Sequence, residues 1–105
     1  MMQRVALKMK LHAGQAEEYK RRHDELWPEM KELLKGIGVE DYAIFLDEET
    51  NILFASLKID DPALLDTLPQ HPTTKRWWAY MADIMDANPD NSPVSVPLSE
   101  VFYLP

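Results

Sequence analysis

Tyr42-Ala43-Ile44-Phe45-Leu46-Asp47-Glu48-Glu49-Thr50-Asn51-Ile52-Leu53-Phe54-Ala55-Ser56-Leu57-Lys58-Ile59 is the stretch that decides the fold. Tyr42 to Leu46 and Ile52 to Ile59 read as two strands, and the polar Asp47 to Asn51 run reads as the hairpin loop between them. Both strands carry apolar residues on both faces. Tyr42, Ile44 and Leu46 oppose Ala43 and Phe45; Leu53, Ala55 and Leu57 oppose Ile52 and Phe54. A sheet apolar on both sides needs two covers. Helices supply one, and a second copy of the sheet would supply the other, so the hairpin points to a homodimer.

Upstream, Val5, Leu7, Met9 and Leu11 alternate with Arg4, Ala6, Lys8 and Lys10, which predicts a strand with one apolar face. Gly14 opens a helical stretch to Lys35, with Tyr19, His23, Leu26, Trp27, Met30, Leu33 and Leu34 on one side. Pro28 cannot donate to the carbonyl of Asp24, so the helix kinks there or restarts with Pro28 at its first position. Gly36 and Gly38 end it.

Downstream, Asp60-Asp61-Pro62 begins a second helical region, with Asp60 or Asp61 as N-cap. Pro69 and Pro72 break it, and a second piece from Thr73 or Thr74 runs to about Met85. Asn88 to Pro93 is turn chemistry, and Val101-Phe102-Tyr103-Leu104 reads as a closing strand. The order is β-α-β-β-α-β over a single domain, residues 1–105. That predicts an α+β, ferredoxin-like sandwich, a topology that pairs into a dimeric α/β barrel.

The 105 residues leave no room for a second domain. Lys plus Arg is 11 and Asp plus Glu is 18, a net charge of -7. That balance disfavours nucleic acid and anionic membrane surfaces as partners. The chain has no cysteine, which excludes disulfides and thiol catalysis. Arg4, Lys8 and Lys10 interrupt the N-terminal apolar residues, unlike a signal peptide, and a cytoplasmic protein is expected. No glycine-rich phosphate loop, Gly-x-Ser-x-Gly elbow or metal-ligand spacing occurs, so no metal site is expected.

His23 is the first candidate for chemistry. It lies four residues after Tyr19, about 40° further round a helix, so the two side chains stack along one face. Histidine works as acid or base near neutral pH. The competing reading is a core histidine satisfied by a nearby carbonyl, such as that of Asp24 freed by Pro28. Trp77-Trp78 is the second candidate. Adjacent helical residues point about 100° apart, so one indole can enter the core while the other faces a pocket. Tyr42 opens its strand and can present a phenol, or can serve in cross-strand packing. His12 and His71 fall in turns and read as solvated.

Longer blocks carry a resemblance. Glu18-Tyr19-Lys20-Arg21-Arg22-His23 with Leu26-Trp27-Pro28-Glu29 resembles the first helical motif of the L-rhamnose mutarotases. Asp41 to Asp47, Arg76-Trp77-Trp78-Ala79-Tyr80-Met81, Asn88 to Val94 and Glu100 to Pro105 resemble later blocks of the same family, in the same order. Asp60 to Thr74 matches no block. The resemblance implies a cofactor-free isomerase that interconverts the α and β forms of L-rhamnose, built as a dimer of ferredoxin-like subunits. It implies His23 as proton donor to the ring oxygen, and Tyr19, Tyr42, Trp77 and Trp78 as sugar-binding residues. Two rival readings are an oxygenase-type enzyme on the same barrel and a non-catalytic dimeric module that binds a small ligand. A haem spectrum would favour the first, and sugar binding without rate enhancement the second.

Overall fold

The computed structural model describes residues 2–105. Four strands form one antiparallel sheet: β1 (Gln3–Lys10), β2 (Glu40–Asp47), β3 (Ile52–Ile59) and β4 (Ser95–Pro97), in spatial order β2-β3-β1-β4. Helices α1 (Ala16–Asp24) and α2 (Pro28–Gly36) connect β1 to β2. A 3₁₀ segment (Pro62–Gln70) and α3 (Pro72–Met81) connect β3 to β4. This is the expected α+β, ferredoxin-like arrangement.

The helices cover the face that carries Val5, Leu7 and Met9 of β1. In register beside them stand Leu57, Ala55 and Leu53 of β3. Leu53, Ala55, Leu57 and Ile59 are all buried there. The alternation in β1 therefore marked the core face correctly. The hairpin also forms as expected: Asp47 pairs with Ile52, and the Asn51 amide donates to the Asp47 carbonyl at 2.8 Å.

Pro28 restarts the helix rather than kinking it. The chain turns through Glu25 to Trp27, and Pro28 takes the first position of α2, where its missing N–H costs nothing. Asp61, not Asp60, caps the next segment, its carboxylate accepting from the Ala63 amide at 3.1 Å. Pro69 does not break that segment but lies inside it, whereas Pro72 opens α3, which ends at Met81 rather than Met85.

The closing strand is a correction. Val101 to Leu104 forms no strand; these side chains stand exposed, Val101 at 94 %. The fourth strand is Ser95–Pro97, paired to the free edge of β1 through Leu7, Lys8 and Met9. An edge position tolerates Pro97, which has no ladder hydrogen to give. The second apolar face of the hairpin is uncovered within one chain, with Phe45 67 % and Phe54 38 % exposed. Among the described residues no helix is long and apolar enough to cross a membrane.

Candidate active site

A cleft of about 1280 Å³ opens between the helices and the core face of the sheet. Tyr19 and His23 from α1, Tyr42 from β2, and Trp77 and Trp78 from α3 all line it. The five residues singled out in the sequence are thus brought together, from three separate elements.

Each is placed by a local cause. Tyr19 and His23 lie one helical turn apart, and their rings stack with centroids 4.3 Å apart. The His23 ring also meets the Trp77 indole edge-on, at 5.4 Å. Trp77 is 7 % exposed and belongs to the core, while Trp78 is partly buried beside it. Both indoles line the cleft and pack with the core cluster, Trp77 more deeply than Trp78. Trp77 further packs edge-on against Trp27 at 5.1 Å and Tyr80 at 5.7 Å.

Just before Ala43, β2 carries an irregularity that the sequence reading did not find. Glu40 pairs with Lys58 but Ala43 pairs with Ser56, so β2 carries one extra residue at this point. Asp41 takes up the bulge with φ 51, a conformation Asp tolerates, and its carboxylate accepts from Arg4 at 3.1 Å on the far face. Tyr42 shares a face with Ile44 and Leu46, as strand alternation requires, and all three line the cleft.

Burial shifts three titratable groups of the cleft. Burial pushes the Tyr19 phenol well above its usual range, and the Tyr42 phenol nearby adds to the effect. Burial also pushes Tyr42 up, although 43 % of the residue's surface remains exposed. Both phenols are therefore neutral hydrogen-bonding groups at neutral pH. Desolvation holds His23 below its ordinary value, against smaller upward effects from the Tyr19 carbonyl and Asp24. His23 Nδ1 lies 3.0 Å from the Tyr19 carbonyl oxygen. The carbonyl that satisfies the ring is therefore that of Tyr19, not that of Asp24.

Arg22 also escaped the sequence reading. It is buried, and it ties α1 to the end of α3. Its Nη1 donates to the Tyr80 carbonyl at 2.6 Å and to Asp83 at 2.8 Å, its Nε donates to Glu18 at 2.7 Å, and its guanidinium lies 4.3 Å from the Tyr80 ring centroid. The available signal was the Glu18–Arg22 spacing of four, beside His23. His12 pairs with Asp86 at 3.2 Å outside this aromatic group, and both side chains are about half exposed.

Comparison with known proteins shows the family. The profile of the L-rhamnose mutarotase family matches residues 4–104. The chain belongs to the L-rhamnose mutarotase family. Within this family, the L-rhamnose mutarotase of Formosa agariphila is 57 % identical over 103 residues, spanning 98 % of this chain and 99 % of its own. That of Listeria monocytogenes serovar 1/2a is 56 % identical over the same shares. The crystal structure of the L-rhamnose mutarotase FA22100 from Formosa agariphila superposes with a TM-score of 0.91 at 56 % identity, covering 98 % of this chain and 99 % of that one. A match of this extent within the mutarotase family does not favour the oxygenase or the non-catalytic binding module.

Proposed function

We propose that this chain is a sugar isomerase that interconverts the α and β anomers of L-rhamnose, with His23 as the acid-base group. Family membership over nearly the whole chain supports the activity. The observation that carries the residue assignment is the convergence of Tyr19, His23, Tyr42, Trp77 and Trp78 on one cleft.

Mutarotation opens the pyranose to an aldehyde, allows rotation about C1–C2, and recloses on the other face. Opening takes a proton from the anomeric hydroxyl and puts one on the ring oxygen. A positioned acid-base group contributes roughly 10²–10⁴-fold. Tyr19 and Tyr42 hold sugar hydroxyls through neutral phenols. Trp78, with the edge of Trp77, faces the C–H and C6-methyl side of the ring. An apolar surface there leaves the extra 6-hydroxyl of a hexose such as glucose unpaired, a penalty of about 1–3 kcal/mol. No cofactor enters this chemistry.

The working unit is proposed to be a cytoplasmic homodimer. Support for the dimer comes from the uncovered sheet face, where Val96, Lys8, Phe54 and Phe45 form one row across four strands. His23→Ala tests the acid-base role. The variant should bind L-rhamnose, seen as tryptophan quenching, and lose anomer exchange by at least about 10²-fold. Near wild-type exchange in a folded His23→Ala protein would remove His23 from the mechanism.

A further inference from the structure

The aromatic wall of the cleft has a second layer behind it. Trp27, Tyr80 and Arg22 are not among the residues that line the cleft. Two of them nonetheless reach Trp77, which does line it. Trp27 meets the Trp77 indole edge-on at 5.1 Å and 87°, and Tyr80 meets it at 5.7 Å and 63°. Trp27 and Tyr80 stack on each other at 5.6 Å and 24°, and the Arg22 guanidinium lies 4.3 Å from the Tyr80 centroid. Trp77 in turn meets the His23 ring at 5.4 Å and 88°. A run of ring contacts therefore leads from Arg22 through Tyr80 and Trp27 to Trp77 and His23.

Each backing ring is set by a local cause. Trp27 precedes Pro28, and a residue before proline is pushed out of the helical region into an extended one. Trp27 has φ -58 and ψ 134, so its indole leaves the joint between α1 and α2 from a backbone that cannot continue α1. Tyr80 stands three residues after Trp77 on α3, on the same side of the helix. Arg22 fixes that end of α3 by donating to the Tyr80 carbonyl and to Asp83. Two separate parts of the chain thus converge on one indole.

We infer that Trp27, stacked on Tyr80, is a positioning residue of the sugar cleft: it backs Trp77 and holds that indole against His23. This rests on the isomerase reading above and adds a second layer to its site. Trp27 acts through Trp77 and not on the sugar. A tryptophan side chain turns about two bonds, and the rings packed around it select one of the orientations this allows. A smaller side chain at position 27 opens space beside Trp77, and the indole relaxes into it and away from His23. Trp77 faces the sugar in the bound and reacting states alike, so the loss falls on binding.

Trp27→Leu tests this. It should raise KM for L-rhamnose about 2- to 10-fold, the worth of one aromatic pair, and change kcat by less than about twofold. A merely structural role would lower the urea midpoint and leave the KM of the folded fraction unchanged, and that result overturns the inference. In a Trp77→Phe background the same substitution should add no further rise in KM; an equal rise there means that Trp27 acts without Trp77 and also overturns it. If Trp27→Leu does not fold, Tyr80, at 37 % exposure, carries the test. Tyr80→Phe keeps the ring and should match wild type, whereas Tyr80→Leu should raise KM; equal KM in the two overturns the inference. A sugar-free readout completes the set. Proton NOEs between the His23 ring and the Trp77 indole should be present in wild type and weakened in Trp27→Leu or Tyr80→Leu, and undiminished NOEs overturn the inference. If wild-type protein exchanged no L-rhamnose anomers, the isomerase reading would fail, while the NOEs would still decide the positioning.

Discussion

Thr74 is 1 % exposed, and its Oγ1 has no hydrogen-bond partner among the described residues. A buried hydroxyl left unpaired costs about 1–3 kcal/mol. Thr74→Val keeps the branched shape and removes that cost. Its urea midpoint should equal or exceed the wild-type value, and a loss above about 1 kcal/mol would mean that Oγ1 has a partner. The two tryptophans should separate in the same assay. Trp77→Ala empties a core site and should cost about 3–5 kcal/mol. Trp78→Ala, at a partly buried position, should cost less stability and chiefly weaken sugar binding. His23 adds a pH dependence of known sign. Its folded pKa lies below the unfolded value, so the unfolded chain takes up the proton first as pH falls. The stability it contributes is complete above about pH 6.5 and is lost as the pH drops towards the folded pKa. His23→Gln should flatten that part of the stability profile in urea titrations, and an unchanged profile would contradict the lowered pKa. At this scale helical spacing made the Tyr19–His23 stack legible, but it left the core-histidine reading open, and the chemical role assigned to His23 came from the resemblance. Helical spacing did not show the carbonyl that holds His23, since i to i−4 side-chain bonds compete with many local alternatives.

Among the elements, α1 and α3 set the distance between His23 and Trp77, and Arg22 joins them. The guanidinium is buried, but Asp83 is mostly exposed and Glu18 partly so. Solvent screening therefore reduces the cost of breaking the cluster from the several kcal/mol of a fully buried pair. Arg22→Met should destabilise by about 1–2 kcal/mol in urea unfolding and raise KM for L-rhamnose more than it lowers kcat. An unchanged KM would show that the clamp does not shape the cleft. Arg22→Lys should recover little, because a lysine cannot donate to Glu18, Asp83 and the Tyr80 carbonyl from one planar group. Element boundaries were legible where proline or glycine set them. Pro28 opens α2, and Gly38, at φ 96, follows its end. The last strand was not legible. Ser95-Val96-Pro97 has almost no strand signal of its own and forms because β1 offers a free edge. Val101 to Leu104 has the stronger apolar pattern, yet it pairs with no strand among the described residues.

For the whole molecule, the two-faced hairpin is the central architectural fact. On its core face the β3 residues are buried under helices while Tyr42, Ile44 and Leu46 of β2 line the cleft, and its other face presents Phe45 and Phe54 to solvent. The second apolar face has no cover within one chain, and it is the support for the proposed homodimer. Phe45→Asp should convert a dimer to a monomer in sedimentation, and a wild-type protein that is already a stable monomer would contradict the proposed assembly. The central claim concerns anomer exchange at His23. It is tested most directly by proton saturation transfer in L-rhamnose: one anomeric proton is irradiated and the other observed, without protein, with wild-type protein and with His23→Ala. Transfer that appears with wild-type protein and disappears with a folded, sugar-binding His23→Ala protein is the predicted result. Equal transfer with both proteins, or none with either, would contradict it.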